Sequence, residues 1–339
     1  MTSPSRDEQA CFTGAETPLS RRRLVAAAGL APLAPWAAQA QADKWPSKPI
    51  HFVEPFGPGG ANDIVARAAA EATARQLGQS IVIDNKPGAG STIGAAFVAK
   101  SAPDGYTFLT PAAGVITNAL IKPRMPYEEG DLVPVVMLAV SPSVIVVPAS
   151  SPIKDLKGLI AASRQGPGLN FATAGTGSTP HFVAEMLKLR AGAKLQIVPF
   201  KSGSEGMAAV VGQQVDATSE ASPVVLPMIK AGRLRAIAST WDRRIAALPD
   251  LATAQEQGFK DVFIGHWSGV FAPKGTPDAV LDRLNAAVNT ALKSTELRAK
   301  LIPMAIDPTG GSRAEFQAFL RAEKARLAPI AKAAQMRED

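Results

Sequence analysis

The sequence predicts an α/β fold in two lobes, each a mostly parallel sheet flanked by helices. Three observations predict it. Short apolar runs alternate with helical patterns, glycine-rich turns join them, and two β-rich, proline-bounded segments interrupt the series. Strands alternating with helices of this length imply βαβ units. The 339 residues exceed an average single domain, and 46% apolar with 19% charged residues is a globular composition.

The first unit joins "IHFVEPF" (50–56) to a helix over Asp63–Leu77, stopped at Gly78 where a left-handed cap belongs. The second joins 80–85 to a helix over Thr92–Ser101, ended by "APDG". The third joins 106–112 to a helix near Thr117, and the fourth joins 169–175 to a helix over His181–Leu189. Residues 137–159 and 262–277 are the two crossover candidates; helices over Asp278–Ser294 and 313–334 follow the second. With both crossings real, lobe 1 comprises 43–142 plus 264–339, lobe 2 comprises 143–263, and a ligand cleft lies between them. Two consecutive domains are the alternative reading.

Residues 1–42 read as a cleavable export signal. An arginine cluster (21–23) precedes a modest apolar stretch, and small residues spaced as Ala38-Gln39-Ala40 or Ala40-Gln41-Ala42 offer a cleavage point near Ala40 or Ala42. The apolar part is too short and too proline-interrupted to span a bilayer. Ser20-Arg21-Arg22-Arg23-Leu24 resembles a twin-arginine signal, with an ordinary secretory leader as the alternative. The single cysteine, Cys11, falls in this leader, so the mature chain is expected to have neither a disulfide nor a thiol nucleophile. These features predict a soluble periplasmic protein, expected to be a monomer.

The formal charge is +7, and 32 basic against 26 acidic residues remain after residue 42. The basic residues are scattered, whereas nucleic-acid binding needs a clustered stripe. No nucleic-acid partner is expected; the mild positive balance suits small anions.

Three turns share one chemistry: "PGGANDIVA" (58–66), "PGAGSTIGA" (87–95) and "GTGSTPHFVA" (175–184). Each packs glycines after a strand and places Asn62, Ser91 or Ser178 where an N-cap belongs. Exposed N–H groups and the positive end of a helix dipole then make an anion site without a cationic side chain. The phosphate-loop pattern fails for lack of its Lys-Ser/Thr, and Asn62 stands at the third glycine of a dinucleotide fingerprint. Asp84, at the end of the next strand, is the one residue placed like a ribose-binding acid, and turn chemistry explains it equally. No cofactor is expected. His51, His181 and His266 show no metal-type spacing, no G-x-S-x-G elbow occurs, and nothing fixes the separation of Asp63 and Glu220 as a carboxylate pair. Neither a metal site nor enzymatic activity is expected.

Taken together, "WPSKPIHFVEPFGPGGANDIVAR", "NKPGAGSTIGAAFVAKSAPDGYTFL", "LNFATAGTGSTPHFVAEML", "GQQVDA", "IKAGRLRAIAST", "LPDLATAQEQGF" and "WSGVFAPKGTP" resemble the Bug-type solute-binding receptors of the tripartite tricarboxylate transporters, from about Trp45 onward. The resemblance implies a type II periplasmic binding protein of Venus-flytrap form that delivers a small carboxylate to membrane transporter subunits. Its rivals are an exported enzyme and a periplasmic ligand-sensing partner of a kinase. It implies that lobe 1 holds a carboxylate through the turn of Gly57, Gly59, Gly60, Ala61, Asn62 and Asp63, helped by Ala112, Ala113 and Gly114. From lobe 2 it implies Thr173, Gly175, Thr176, Gly177, Ser178, Thr179 and His181, with Lys201 and Ser202 closing the pocket. Two departures stand out. Phe200 lacks a phenol donor common in relatives, and Ser219-Glu220-Ala221-Ser222 replaces a common Phe-Asp-Asn-Leu. Glu220 is expected to face the cleft and to disfavour a second ligand carboxylate, favouring an amine or hydroxyl; an exposed or structurally paired glutamate is the alternative reading.

Overall fold

The computed structural model describes residues 45–337. The export-signal reading of 1–42, with Cys11, lies outside the described residues. Trp45 anchors the start, its ring buried and its Nε1 donating to the Gly105 carbonyl at 2.8 Å.

β1 (Ile50–Glu54), α1 (Ala61–Leu77), β2 (Ile81–Asn85), α2 (Thr92–Ala99), β3 (Thr107–Leu109) and α3 (Gly114–Ile121) form the first half as the sequence predicts. Gly78 ends α1 at φ +67, its N–H closing on the Ala74 carbonyl. A left-handed residue stops a helix there, and only glycine adopts that conformation without a steric penalty. β4 (Leu132–Pro148) follows and crosses into the second half. That half contains α4 (Leu156–Ser163), β5 (Leu169–Thr173), α5 (Thr179–Ala191), β6 (Leu195–Pro199), α6 (Gly203–Val211), β7 (Ala217–Ala221), α7 (Ser222–Lys230) and β8 (Leu234–Ser239). β9 (Gly265–Pro273) returns, and α8 (Asp278–Leu292), α9 (Thr295–Leu301), β10 (Asp307–Pro308) and α10 (Arg313–Ala333) complete the chain.

The strand order is β2-β1-β3-β9-β4-β7-β5-β6, with β8 and β10 also paired to β4. The expected parallel cores are present in both halves: β1 runs parallel to β2 and β3, and β5 to β6 and β7. The antiparallel pairs all involve β4 or β9, the strands at the two expected crossings. β4 pairs with β9 as far as Pro142, and from Ser143 onward with β7 and β8. Proline cannot donate to a ladder, so Pro142 falls where the pairing changes partners.

Each half has its own apolar core. Phe52, Phe108, Leu138 and Leu284 are fully buried in the first, and Phe171, Phe182, Leu156 and Leu159 in the second. α10 spans both. Its stripe Phe316, Leu320, Leu327 and Ile330 keeps helical spacing, yet the first two pack into first-half clusters and the last two into the second. The elements that the pattern reading misses are mostly in the second half. β7 is the clearest case: its interior Thr218, Ser219 and Glu220 are polar although fully packed, so no alternation of apolar residues betrays it. Among the described residues no helix is long and apolar enough to cross a membrane.

Candidate functional site

A cleft with a cavity volume of about 70 Å³ lies where the two parallel cores face each other across β4 and β9. From the first half it takes Gly57, Gly60, Ala61, Asn62, Asp63, Ala112, Ala113 and Gly114; from the second, Ser178, Thr179, Ser202 and Glu220. A second recess at its mouth adds Gly175, Thr176 and Lys201. Gly59, Thr173, Gly177 and His181 line neither recess.

Three helix starts at the cleft carry no side-chain cap, whereas Ser202, which also lines it, caps α6 through its hydroxyl. Gly60, Ala113 and Ser178 are the N-caps of α1, α3 and α5, all three line the cleft, and none accepts a hydrogen bond from its own helix through a side chain. Remote from the cleft, Asp155, Ser294 and Ser312 cap α4, α9 and α10 in the ordinary way, accepting from Gly158, Leu297 and Glu315. In α1 the first backbone bond is Ile64 N–H to Gly60, so the N–H groups of Ala61, Asn62 and Asp63 have no partner in the helix. Such groups, with the helix dipole behind them, attract an anion.

Asn62 is not the helix cap that its position suggests. It is the second residue of α1, and its Nδ2 donates to Glu54 Oε2 and to the Thr110 carbonyl. The physical reason is Glu54, a carboxyl wholly buried at the end of β1 that needs a donor. Ser91 and Ser178 do occupy N-cap positions but do not cap with their side chains; Ser178 Oγ donates to the Gly175 carbonyl at 2.6 Å. Asp63 is committed to structure: Oδ2 accepts from Gly59 N–H at 3.0 Å and Arg67 Nε at 2.9 Å, and Oδ1 accepts from Asn85 at 3.0 Å. Burial opposes its charge, but these bonds outweigh burial and hold its carboxyl below the usual range.

His181 stands beside the cleft wall rather than in it. Its Nδ1 accepts from Gly177 N–H at 3.1 Å and its Nε2 lies 3.8 Å from Glu185, which fixes the glycine turn. Gly177 itself has φ +76, and a Cβ there would stand 2.6 Å from Ile121 on α3. Its carbonyl accepts from Thr117 Oγ1 at 2.8 Å, a bond between the halves. Ser204 Oγ to the Gly59 carbonyl, 3.4 Å, is another. Asp84 pairs with His51, whose Nδ1 lies 2.8 Å from Oδ2 across adjacent strands.

Glu220 is 4% exposed, lines the cleft, and leaves Oε1 without a hydrogen-bond partner. Burial pushes its carboxyl up to about 8, relieved only by the Ala221 N–H. Ser202, from the "PFKSG" stretch, caps α6 by accepting from Glu205 N–H at 3.2 Å. Residues absent from the sequence expectation also line the cleft: Phe56, Ala174, Pro180, Gly203, Val224 and His266. His266 reaches it on β9, with Nε2 3.3 Å from Ser143 Oγ; burial pushes its imidazole down to about 3, so the ring is neutral. Among the described residues no group of three or more His, Cys, Asp or Glu is placed to hold a metal ion.

Two α/β halves, joined by crossing strands around a cleft of backbone donors, define the class: two-lobed solute-binding proteins. The chain belongs to the TctC family, "Tripartite tricarboxylate transporter family receptor", whose pattern matches residues 65–336. It is 37% identical to the protein BugT of Bordetella pertussis over 262 residues, 76% of this chain and 80% of BugT. Its fold superposes at a TM-score of 0.83 on R. palustris Rpa4515 with adipate, with 34% identity over 86% of this chain and 99% of that one. MatC (Rpa3494) from Rhodopseudomonas palustris with bound malate gives 0.80, with 29% identity over 84% and 99%.

Proposed function

We propose that this chain is a periplasmic receptor that captures a small carboxylate in the cleft and hands it to the membrane subunits of a tripartite tricarboxylate-type transporter. The observation that carries this reading is the convergence of three helix starts without side-chain caps, Gly60, Ala113 and Ser178, on one cavity. A carboxylate supplies an acceptor that the Ala61, Asn62 and Asp63 N–H groups lack within α1. Adipate and malate in two structural relatives support the ligand class.

In this reading 43–142 with 264–339 forms lobe 1 and 143–263 forms lobe 2. One physical exception is the end of α10, where Leu327 and Ile330 pack with the second core. Ligand bridging the lobes favours closure only by as much as it binds the closed state better than the open one. Delivery to membrane subunits presupposes export, which agrees with the leader in 1–42.

Equilibrium dialysis against mono-, di- and tricarboxylates, aromatic acids and amino acids tests the proposal. The expected result is retention of one ligand per chain with no chemical change. Conversion to product, or retention of none of these acids, overturns it. Loss of uptake of the retained acid on gene deletion distinguishes transport from sensing.

A further inference from the structure

We propose that Glu220 is the counter-ion for an ammonium group on the ligand, so that the cleft selects an acid bearing a primary amine over a dicarboxylic acid of equal length. The inference rests on the carboxylate-receptor reading and adds the ligand's second functional group.

With Glu220 ionised, the cleft offers acceptors where a second carboxylate would need donors. Glu220 Oε1 and Asn62 Oδ1 are both buried, both without a partner, and both belong to residues lining the same cavity. Asn62 presents its oxygen because its amide hydrogens are spent on Glu54 and Thr110. The Glu220 carboxyl is held in place by close packing. It lies against Gly203, where an added Cβ would stand 2.5 Å from Oε1 and from Oε2.

No cationic side chain offsets a second negative charge at this point. Arg67 is engaged by Asp63, and Lys201 lines only the outer recess. The other titratable groups around Glu220 do not help. On β9 His266 is neutral; on α1 Asp63 is already bonded to Arg67; on α6 the Glu205 carboxylate accepts from Lys201 N–H; and Glu54 sits behind Asn62. A dicarboxylate would bury two charges with dipoles and at most the hydroxyl of a protonated Glu220 as compensation, whereas an ammonium pairs its full charge with an ionised Glu220.

Desolvation keeps the empty site protonated at neutral pH, since the carboxyl is pushed up to about 8. When the ammonium arrives, Glu220 ionises and its proton passes to solvent; the amine keeps its own proton. Uptake therefore releases up to one proton per ligand below that pH.

Isothermal titration at pH 6.5, in two buffers of different ionisation enthalpy, tests this with succinate against 4-aminobutyrate and adipate against 6-aminohexanoate. The amino acid of at least one pair should bind about tenfold or more tighter than its diacid, with proton release. Glu220→Gln should abolish the release and erase the preference. Diacids that bind as tightly as their amino partners in both pairs, or amine binding without proton release, overturn the inference and leave the receptor reading standing. So does retention of none of these four acids while others in the wider screen bind. The proton count on the unmodified protein needs no variant, so poor folding of Glu220→Gln does not shield the inference.

Discussion

Glu54 ends β1 wholly buried, with Oε1 unpartnered and Oε2 accepting from Asn62 and from Thr110 Oγ1 at 3.3 Å. Burial, helped by the nearby Asp63 charge, pushes its carboxyl from 4.5 up to about 8 against the effect of those bonds. Between these values the native chain keeps a proton that the unfolded chain has released, so stability falls as pH rises through that window. His266 acts in the opposite sense, because its imidazole is neutral in the fold down to about 3 and charged when unfolded below 6.5. The glutamate effect is therefore cleanest between pH 6.5 and 8. Glu54→Gln retains an acceptor for Asn62 and removes the titration. Its stability advantage over the unmodified chain should grow by about 2 kcal/mol from pH 6.5 to 8. Urea denaturation at the two pH values measures this, and a constant difference would falsify the buried-acid account.

At the scale of elements, a remote helix cap and a bond between the halves can be tested separately. Ser312 and Glu315 form a reciprocal capping box on α10 far from the cleft. Ser312→Ala should cost about 1 kcal/mol of stability and leave the affinity for the retained acid unchanged. Thr117 on α3 faces the opposite test, since its Oγ1 reaches across to the Gly177 carbonyl. Thr117→Val keeps the shape and loses that bond, so affinity should weaken about three- to tenfold through a less favourable closed state. Equal effects of both substitutions on affinity would refute the distinction. Two of the open starts, Gly60 and Ser178, were legible because strand, glycine turn and helix are local patterns; the third predicted turn, 87–95, begins α2 and lines only the outer recess, and no glycine turn announces Ala113. Asn62 was misread as a cap because the group that claims its amide, Glu54, is made buried and needy only by tertiary packing. His266 and Gly203 left no local signal at all. One arrives on an antiparallel crossing strand, and the other matters because β7 sets Glu220 directly beside it.

For the whole molecule, closure around a ligand should be visible as compaction. Small-angle scattering with saturating retained acid should give a smaller radius of gyration than the empty protein, and Thr117→Val should need more ligand to reach it. An identical radius with and without ligand would rule out capture by lobe movement. β4 adds a consequence for folding itself. Its residues up to Pro142 complete one part of the sheet and the rest complete the other, while α10 is likewise divided between the two cores. Neither half owns all the chain it needs, so the two should melt together despite being separate in architecture. Trp267, in the first half, and Trp241, stacked on Phe263 beyond β8, are natural reporters of this. Variants that retain one or the other as the reporting tryptophan should unfold at the same temperature. A proteolytic nick between the lobes should yield no folded fragment, so this receptor cannot be harvested as two modules and must be engineered as a single cooperative unit.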